Sequence, residues 1–342
     1  MDSGTDAFRR AASRLVDGEP VDWNALSRRG SLEGGERRAL RVVDAIRRAH
    51  DVPAAAEAGV PCEGEERLET GYEIFEEIGR GSVARVYRAL DRALGREVAL
   101  KVLEPHDASL AGAREPFLGE ARALASIDHP NVVRIFAIDE ARGRLRIALE
   151  LIRGRTIERI VGDEGPLTER GAALVAIQVC RALAAVHERG LVHRDVKPTN
   201  VMRADATGRV VLLDFGIAVA PSHGFAAGAG PFAGTPLFMA PEQLEGRAST
   251  GPEADQFALG VLLHWMVSGE FPFEAATYAE LQEAARAGRR KRPAAMRPAL
   301  DPAFAAIVER LLAPEASGRF ASAAAAGRAL AEIAGAPRAT FD

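Results

Sequence analysis

The chain changes its hydrophobic period partway along, and that change limits what it can fold into. From Gly71, short apolar or alternating runs are separated by Gly, Asp and Arg turns: "YEIFEEIGRGSVARVYRALD", "REVALKVLE", "VVRIFAIDE" and "LRIALELI". Period-two runs of this length predict an antiparallel sheet. One helical stretch, "REPFLGEARALASI", interrupts them. From about Thr168 the helical period takes over, as in "ERGAALVAIQVCRALAAVHERG" and "ADQFALGVLLHWMVSG". A strand-rich part followed by a helix-rich part predicts an α+β architecture of two lobes with a cleft between them. No internal repeat is visible.

The flanks differ from this body. Residues 1–50 carry apolar residues at helical spacing, which predicts a helical N-terminal extension. Residues 51–70 turn to Pro, Gly, Ala and Glu and read as a linker, and 335–342 read as a tail. A net charge of −4 argues against a nucleic-acid surface. The two cysteines, Cys62 and Cys180, have no metal-ligand spacing, so a reducing compartment is expected. The start, "MDSGTDAFRR", lacks the apolar core of a signal peptide. The apolar run Phe257–Val267 is too short to span a bilayer. The expectation is a cytoplasmic protein with no membrane segment.

Charge chemistry concentrates in a few places. Of 44 basic side chains only three are lysines: Lys101, Lys197 and Lys291. In a chain whose usual cation is arginine, a lysine points to a site that wants a compact point charge rather than a planar fork. Lys291, inside "GRRKRP", reads as incidental, and the other two have telling neighbours. Lys101 closes the strand "VALK", where the plain alternative is an edge lysine that protects a sheet. Lys197 lies in "VHRDVKPTN", residues 192–200, which packs His193, Arg194, Asp195, Lys197 and Asn200 into one loop. Each of these side chains is costly to bury unless paired. Asp195 could take a proton from an attacking hydroxyl, Lys197 could balance charge on a phosphoryl group, and Asn200 could offer its amide oxygen to a metal. "LLDFG" ends a short buried strand at Asp214, a candidate Mg²⁺ ligand. "IGRGSVARV", from Ile78 to Val86, could lay backbone N–H groups over phosphates, although such a stretch is also what a plain tight turn needs. Glu120, in the lone helix of the first lobe, could pair with Lys101 or simply face solvent.

Taken in order, the glycine loop, the lysine strand, the catalytic loop, "DFG" and "APE" resemble the signature set of the protein kinases, from about Tyr72 to Ile333. "KPTN" and "GTP" are similar to the serine/threonine branch, and "DFGIAVA … GTPLFMAPEQ" looks like the bacterial eukaryote-type (Hanks-type) kinases. The resemblance implies a kinase domain over 71–334. Its N-lobe, 71–152, would be a small antiparallel sheet with one main helix, and its C-lobe, 153–334, mostly helical. It implies transfer of the γ-phosphoryl group of ATP, with Mg²⁺, to serine or threonine hydroxyls of protein substrates.

The resemblance also implies roles. Lys101, aimed by Glu120, would hold the α- and β-phosphates under a loop of Ile78, Gly79, Gly81 and Ser82. Val86, Ala99 and Met202 would sandwich the adenine, with Leu149 guarding the back pocket and the backbone of Glu150 and Ile152 bonding the base. Asp195 would take the hydroxyl proton, Lys197 would meet the γ-phosphate, and Asn200 with Asp214 would hold Mg²⁺. Leu124, Ile135, His193 and Phe215 would stack as a spine. Thr235 would bond Asp195 and Lys197, Arg319 would pair with Glu242, Asp255 would brace the catalytic loop, and Arg194 is where a phosphate on the following segment would dock.

Two departures stand out. The third glycine of the loop is Ala84, and 217–233 carry a single hydroxyl, Ser222. The second predicts little dependence on phosphorylation there, with order supplied instead by substrate or by a regulatory partner acting through residues 1–70. A pseudokinase scaffold is the competing reading, and a small-molecule acceptor a third. Lys101, Asp195, Asn200 and Asp214 are all present, against the scaffold, and the peptide-platform segments "KPTN", "GTP" and "APE" argue against the small molecule.

Overall fold

The computed structural model describes residues 60–61, 68–69, 71–81, 84–103, 119, 121–141, 144–214, 235–246, 250–291 and 299–336. The expectations for Ser82, Glu120, Phe215, Ser222, the helices of 1–50 and most of the 51–70 linker lie outside those residues, as does the side chain of Thr235.

The N-terminal half is one antiparallel sheet. Its strands are β1 (Val60–Pro61), β2 (Leu68–Glu69), β3 (Tyr72–Arg80), β4 (Ala84–Asp91), β5 (Arg96–Leu103), β6 (Ile135–Ala141) and β7 (Arg144–Glu150). The order is β1-β3-β4-β5-β7-β6, with β2 also on β3. Two short pieces of the stretch read as a linker are therefore sheet edge.

Alternation sorts β5 into two faces. Val98, Leu100 and Val102 pack with Tyr72, Ile74 and Tyr87 in one apolar cluster. Val86 pairs with Lys101, and Ala99 with Leu149, which puts those four on the opposite face. The β4–β5 turn closes through Gly95 N–H on the Asp91 carbonyl at 2.8 Å. Gly95 has φ +62°, a conformation that costs a side-chain-bearing residue and not glycine.

The C-terminal half is helical apart from a small sheet, β10-β9-β8, of β8 (Gly154–Thr156), β9 (Val201–Ala204) and β10 (Val210–Leu212). Its helices are α1 (Ile157–Glu164), α2 (Glu169–His187), α3 (Pro241–Leu244), α4 (Pro252–Ser268), α5 (Tyr278–Arg286), α6 (Pro302–Leu311) and α7 (Ala323–Ala334). Thr156 and Thr168 cap α1 and α2 by accepting backbone N–H bonds. By length and composition α2 could cross a bilayer, but Val175, Val179, Leu183 and Val186 lie in the core.

The centre of the lobe is α4, apolar around most of its circumference and buried on all sides, as such a helix must be. A methyl group on Gly260 would come within 2.9 Å of Leu311 Cβ, so glycine lets α6 approach α4 closely. Cys180 is fully buried and its thiol is pushed up to about 12 by desolvation, so it stays protonated and unreactive.

Three histidines are held below their ordinary pKa. Desolvation is the main cause at His129, His193 and His264, aided at His129 by the Arg181 charge. The unfolded chain, whose histidines titrate near 6.5, then binds more protons than the folded one as pH falls through that value. The consequent expectation is a urea midpoint that declines as pH is lowered from 7.5 to 5.5. Equilibrium unfolding followed by circular dichroism checks it, and a midpoint constant across that window contradicts it.

Candidate active site

The site lies where the two halves face each other. Above it, Gly79 pairs with Val86 across the β3–β4 hairpin, and Gly81 N–H closes the turn on the Ala84 carbonyl at 2.8 Å. Neither glycine has positive φ, and a methyl group on either would meet only ordinary contacts of 3.5 Å or more. Backbone freedom is therefore not what this conformation uses them for. Their contribution here is bare backbone without side chains. Ala84 sits buried in strand conformation, so it carries no strain. Ile78 is exposed, while Val86, Leu149 and Met202 are half-buried and Ala99 is buried. Glu150 ends β7 and Ile152 follows it in the connection between the lobes.

Below, the loop after α2 is built on a buried carboxylate. Asp255, in the first turn of α4 and 1% exposed, accepts the backbone N–H groups of His193 and Arg194 at 2.8 Å each and meets His187 Nε2 at 2.8 Å. His193 is itself buried. Its Nε2 faces the Leu213 carbonyl at 2.9 Å, and a carbonyl can only accept. The ring is therefore protonated at Nε2, which leaves Nδ1 to accept the Asp195 N–H at 3.2 Å.

This geometry aims Asp195 into the cleft. Its Oδ2 takes Lys197 Nζ at 2.9 Å and the Asn200 amide at 2.7 Å. The same Asn200 amide reaches the Asp195 carbonyl at 2.8 Å, so its Nδ2 is committed and its Oδ1 is the group left for a cation. Asp195 Oδ1 is buried and has no hydrogen-bond partner among the described residues. A carboxylate oxygen left unpaired in a buried position costs stability, and such exceptions concentrate at working sites.

Asp214 arrives from the other side. Leu213 N–H bonds the Asn200 carbonyl at 2.8 Å, which brings Asp214 next to the catalytic loop. Lys101 Nζ meets Asp214 Oδ1 at 2.7 Å across the cleft. Desolvation alone would raise the Asp214 carboxyl. The Lys101 ammonium, through charge and hydrogen bond, with Lys197 behind it, holds it below the ordinary carboxylate value. Arg194 and Asp214 have φ of +66° and +41°, the only described residues other than glycine with positive φ. Strained backbone at these two charged residues, one in the loop and one after β10, is a cost that the surrounding bonds must sustain.

Farther out, Arg319 is fully buried and forks onto Glu242 at 2.6 and 3.0 Å, with further bonds to the carbonyls of Ala313, Glu253 and Pro314. Leu124 lies in the large apolar cluster, with Ile135 packed against it. Sequence reasoning passed over a joint between the lobes. Asn131 gives its amide to the Val210 carbonyl at 2.7 Å and to Gln178 Oε1 at 3.1 Å, and Gln178 Oε1 takes the Val210 N–H at 2.9 Å. An amide set directly before the apolar pair Val132–Val133 was the available signal. His187, the third partner of Asp255, was also missed.

Residues 72–329 match the family described as protein kinase domain. The chain belongs to the protein kinase family, and its bacterial serine/threonine relatives place it in the Hanks-type branch. It is 36% identical over 263 residues to serine/threonine-protein kinase Pkn1 of Myxococcus xanthus, which covers 76% of this chain and 38% of that protein. It is 35% identical over 208 residues to serine/threonine-protein kinase PrkC of Bacillus subtilis, covering 61% of this chain and 32% of that one. Among solved structures, a point mutant of the kinase domain of Mycobacterium tuberculosis PknI aligns with TM-score 0.64 and 27% identity over 80% of this chain and all of that one. The chain spans less than half the length of those two curated relatives.

Removing one partner of a buried ion pair strands the other charge, at a cost of about 3–5 kcal/mol. Glu242→Ala, which isolates the buried Arg319, is expected to lower the unfolding free energy by about that amount. Urea denaturation measures it; a loss within the ~1 kcal/mol of a surface pair would show that the fork is not structural.

Proposed function

We propose that this chain transfers the γ-phosphoryl group of ATP to serine or threonine hydroxyls of protein substrates, as part of bacterial signalling in the cytoplasm. The observation that carries the reading is the state of Asp195. Lys197 and Asn200 hold one carboxylate oxygen, and the other is buried with no partner among the described residues. An acceptor fixed in direction and left empty suits a hydroxyl that must be oriented and relieved of its proton. The presence of Lys101, Asn200 and Asp214 around it supports catalysis over a scaffold role.

The residues fit Mg²⁺ as well as ATP. The amide oxygen of Asn200 and the Asp214 carboxylate are hard oxygen donors on segments joined by the Leu213–Asn200 backbone bond, and Mg²⁺ takes few protein ligands beside phosphates and water. Bound there, Mg²⁺ would neutralise charge on the phosphates. Lys101 would leave or share its bond with Asp214 to hold phosphate oxygens. Lys197, already beside Asp195, would balance charge that develops as the phosphoryl group moves toward the hydroxyl. Val86, Ala99, Leu149 and Met202 would enclose the base, and the backbone of Glu150 and Ile152 would bond it. Because the transition state is loose, positioning and charge stabilisation are most of what the protein supplies.

Incubation of the chain with labelled ATP, Mg²⁺ and a protein acceptor is expected to yield phosphoserine or phosphothreonine. Asp195→Asn, Lys101→Met and Asp214→Ala are each expected to lower the initial rate at least ~100-fold, the scale of a lost general base, with circular dichroism unchanged. A folded Asp195→Asn protein that keeps a near-normal rate would overturn the reading.

Lys101→Arg tests the point-charge requirement separately. A planar guanidinium cannot occupy the place of a compact ammonium on phosphate oxygens, so ATP affinity or rate should fall despite the preserved charge. Ordinary ATP affinity and rate in that variant would remove Lys101 from the phosphate site.

A further inference from the structure

Resting on the kinase reading, we propose that Arg209 is a positioning residue for nucleotide binding, which fixes the connection between the lobes from the C-terminal half. It immediately precedes β10, at the end of a hairpin turn locked by three bonds. Gly208 N–H meets the Ala204 carbonyl at 2.9 Å, Ala204 N–H meets the Arg209 carbonyl at 2.8 Å, and Arg209 N–H meets Thr207 Oγ1 at 3.2 Å. From this base the guanidinium divides. Nη1 donates to the Pro130 carbonyl at 3.0 Å, and Nη2 pairs with the Glu150 carboxylate.

Those two targets lie on two segments where the chain passes between the lobes. Pro130 begins the segment that runs beside β10: Leu212 N–H bonds the Asn131 carbonyl at 2.8 Å, Val133 N–H bonds the Leu212 carbonyl at 3.1 Å, and Val132 bridges Leu212 in parallel. Glu150 ends β7, and its N–H bonds the Arg134 carbonyl at 2.9 Å. One planar cation thus ties the connection to a segment already anchored on the C-terminal sheet. Only a forked guanidinium reaches both acceptors at once. Glu150 is the residue whose backbone would bond the base, so its side chain has a neighbour that sets where that backbone stands.

The Arg209 and Glu150 side chains are 32% and 28% exposed, so as an ordinary surface pair this contact would add little stability. Placement of the base-binding backbone is a different matter, since small misplacements of a binding group are costly. The two roles therefore separate by measurement. Isothermal titration of the full chain with ATP and Mg²⁺ gives Kd, and steady-state assays give KM and kcat. Arg209→Ala is expected to weaken ATP binding about fivefold, with KM following, kcat within about twofold and the melting temperature little changed. Arg209→Lys, able to meet Glu150 but not both acceptors, should recover part of the loss. In a Glu150→Gln background, Arg209→Ala should add little further weakening.

Unchanged ATP affinity in Arg209→Ala overturns the inference. So does a loss confined to kcat and melting temperature, which would mark a structural residue. If the wild-type chain binds no ATP, the kinase reading itself fails, and that result is distinct from both.

Discussion

Everything at the reaction centre is referred to one buried carboxylate. Asp255 sits in the first turn of α4, where the unpaired N–H groups and the helix dipole favour a negative charge. A carboxylate so deeply desolvated persists only if its lone pairs are used. It spends them on two consecutive backbone N–H groups and on His187. Those bonds hold Arg194 in its positive-φ conformation, and through it the direction in which Asp195 leaves the loop. A deeply buried helix thereby sets the orientation of the Asp195 side chain. The device needs no side chain from the loop itself, only its main chain.

The distribution of cations follows the same economy. Arginine forms the structural ties: Arg319 on Glu242, Arg209 on Glu150, Arg290 on Glu309. A planar fork with several donors suits partners that never change. Lys101 and Lys197 appear on Asp214 and Asp195, where the proposed reaction would have them exchange a partner. A single ammonium can be shared or handed on without breaking a bidentate geometry. Lys291 departs from this pattern, since it joins Glu270 and Glu274 in a static cluster away from the cleft.

The architecture was legible because periodicity is a property of the residues themselves. The alternation in "REVALKVL" is the two-faced β5, and the nearly continuous apolar run of "FALGVLLHWMV" is the buried α4. Much of the site's arrangement was legible because its residues are adjacent in the chain and rich in charge. What escaped notice were contacts between neutral or distant groups. Nothing in the chain marks Gln178 as the partner of Asn131, 47 positions away. The tautomer of His193 depends on a carbonyl brought up by a different strand. The glycine loop left two readings open in the sequence, and the fold shows Gly79 and Gly81 without positive φ, with the Gly81 N–H closing a turn on the Ala84 carbonyl.

The segment that docks along β10 has a mechanical consequence. Asn131 to Val133 are covalently part of the first half of the chain, yet their hydrogen bonds belong to the small sheet of the second. When one half turns against the other, these residues travel with the C-terminal half. The moving upper body is therefore discontinuous in sequence: it comprises the strands before Pro130 together with β6 and β7, and the chain passes between the halves three times, into the C-terminal sheet at Asn131, out of it at Arg134 and back after Glu150. Halves joined at more than one passage resist twisting about the long axis while the cleft can still open and shut. That is the freedom a site needs when it must admit one molecule and release another without losing its alignment.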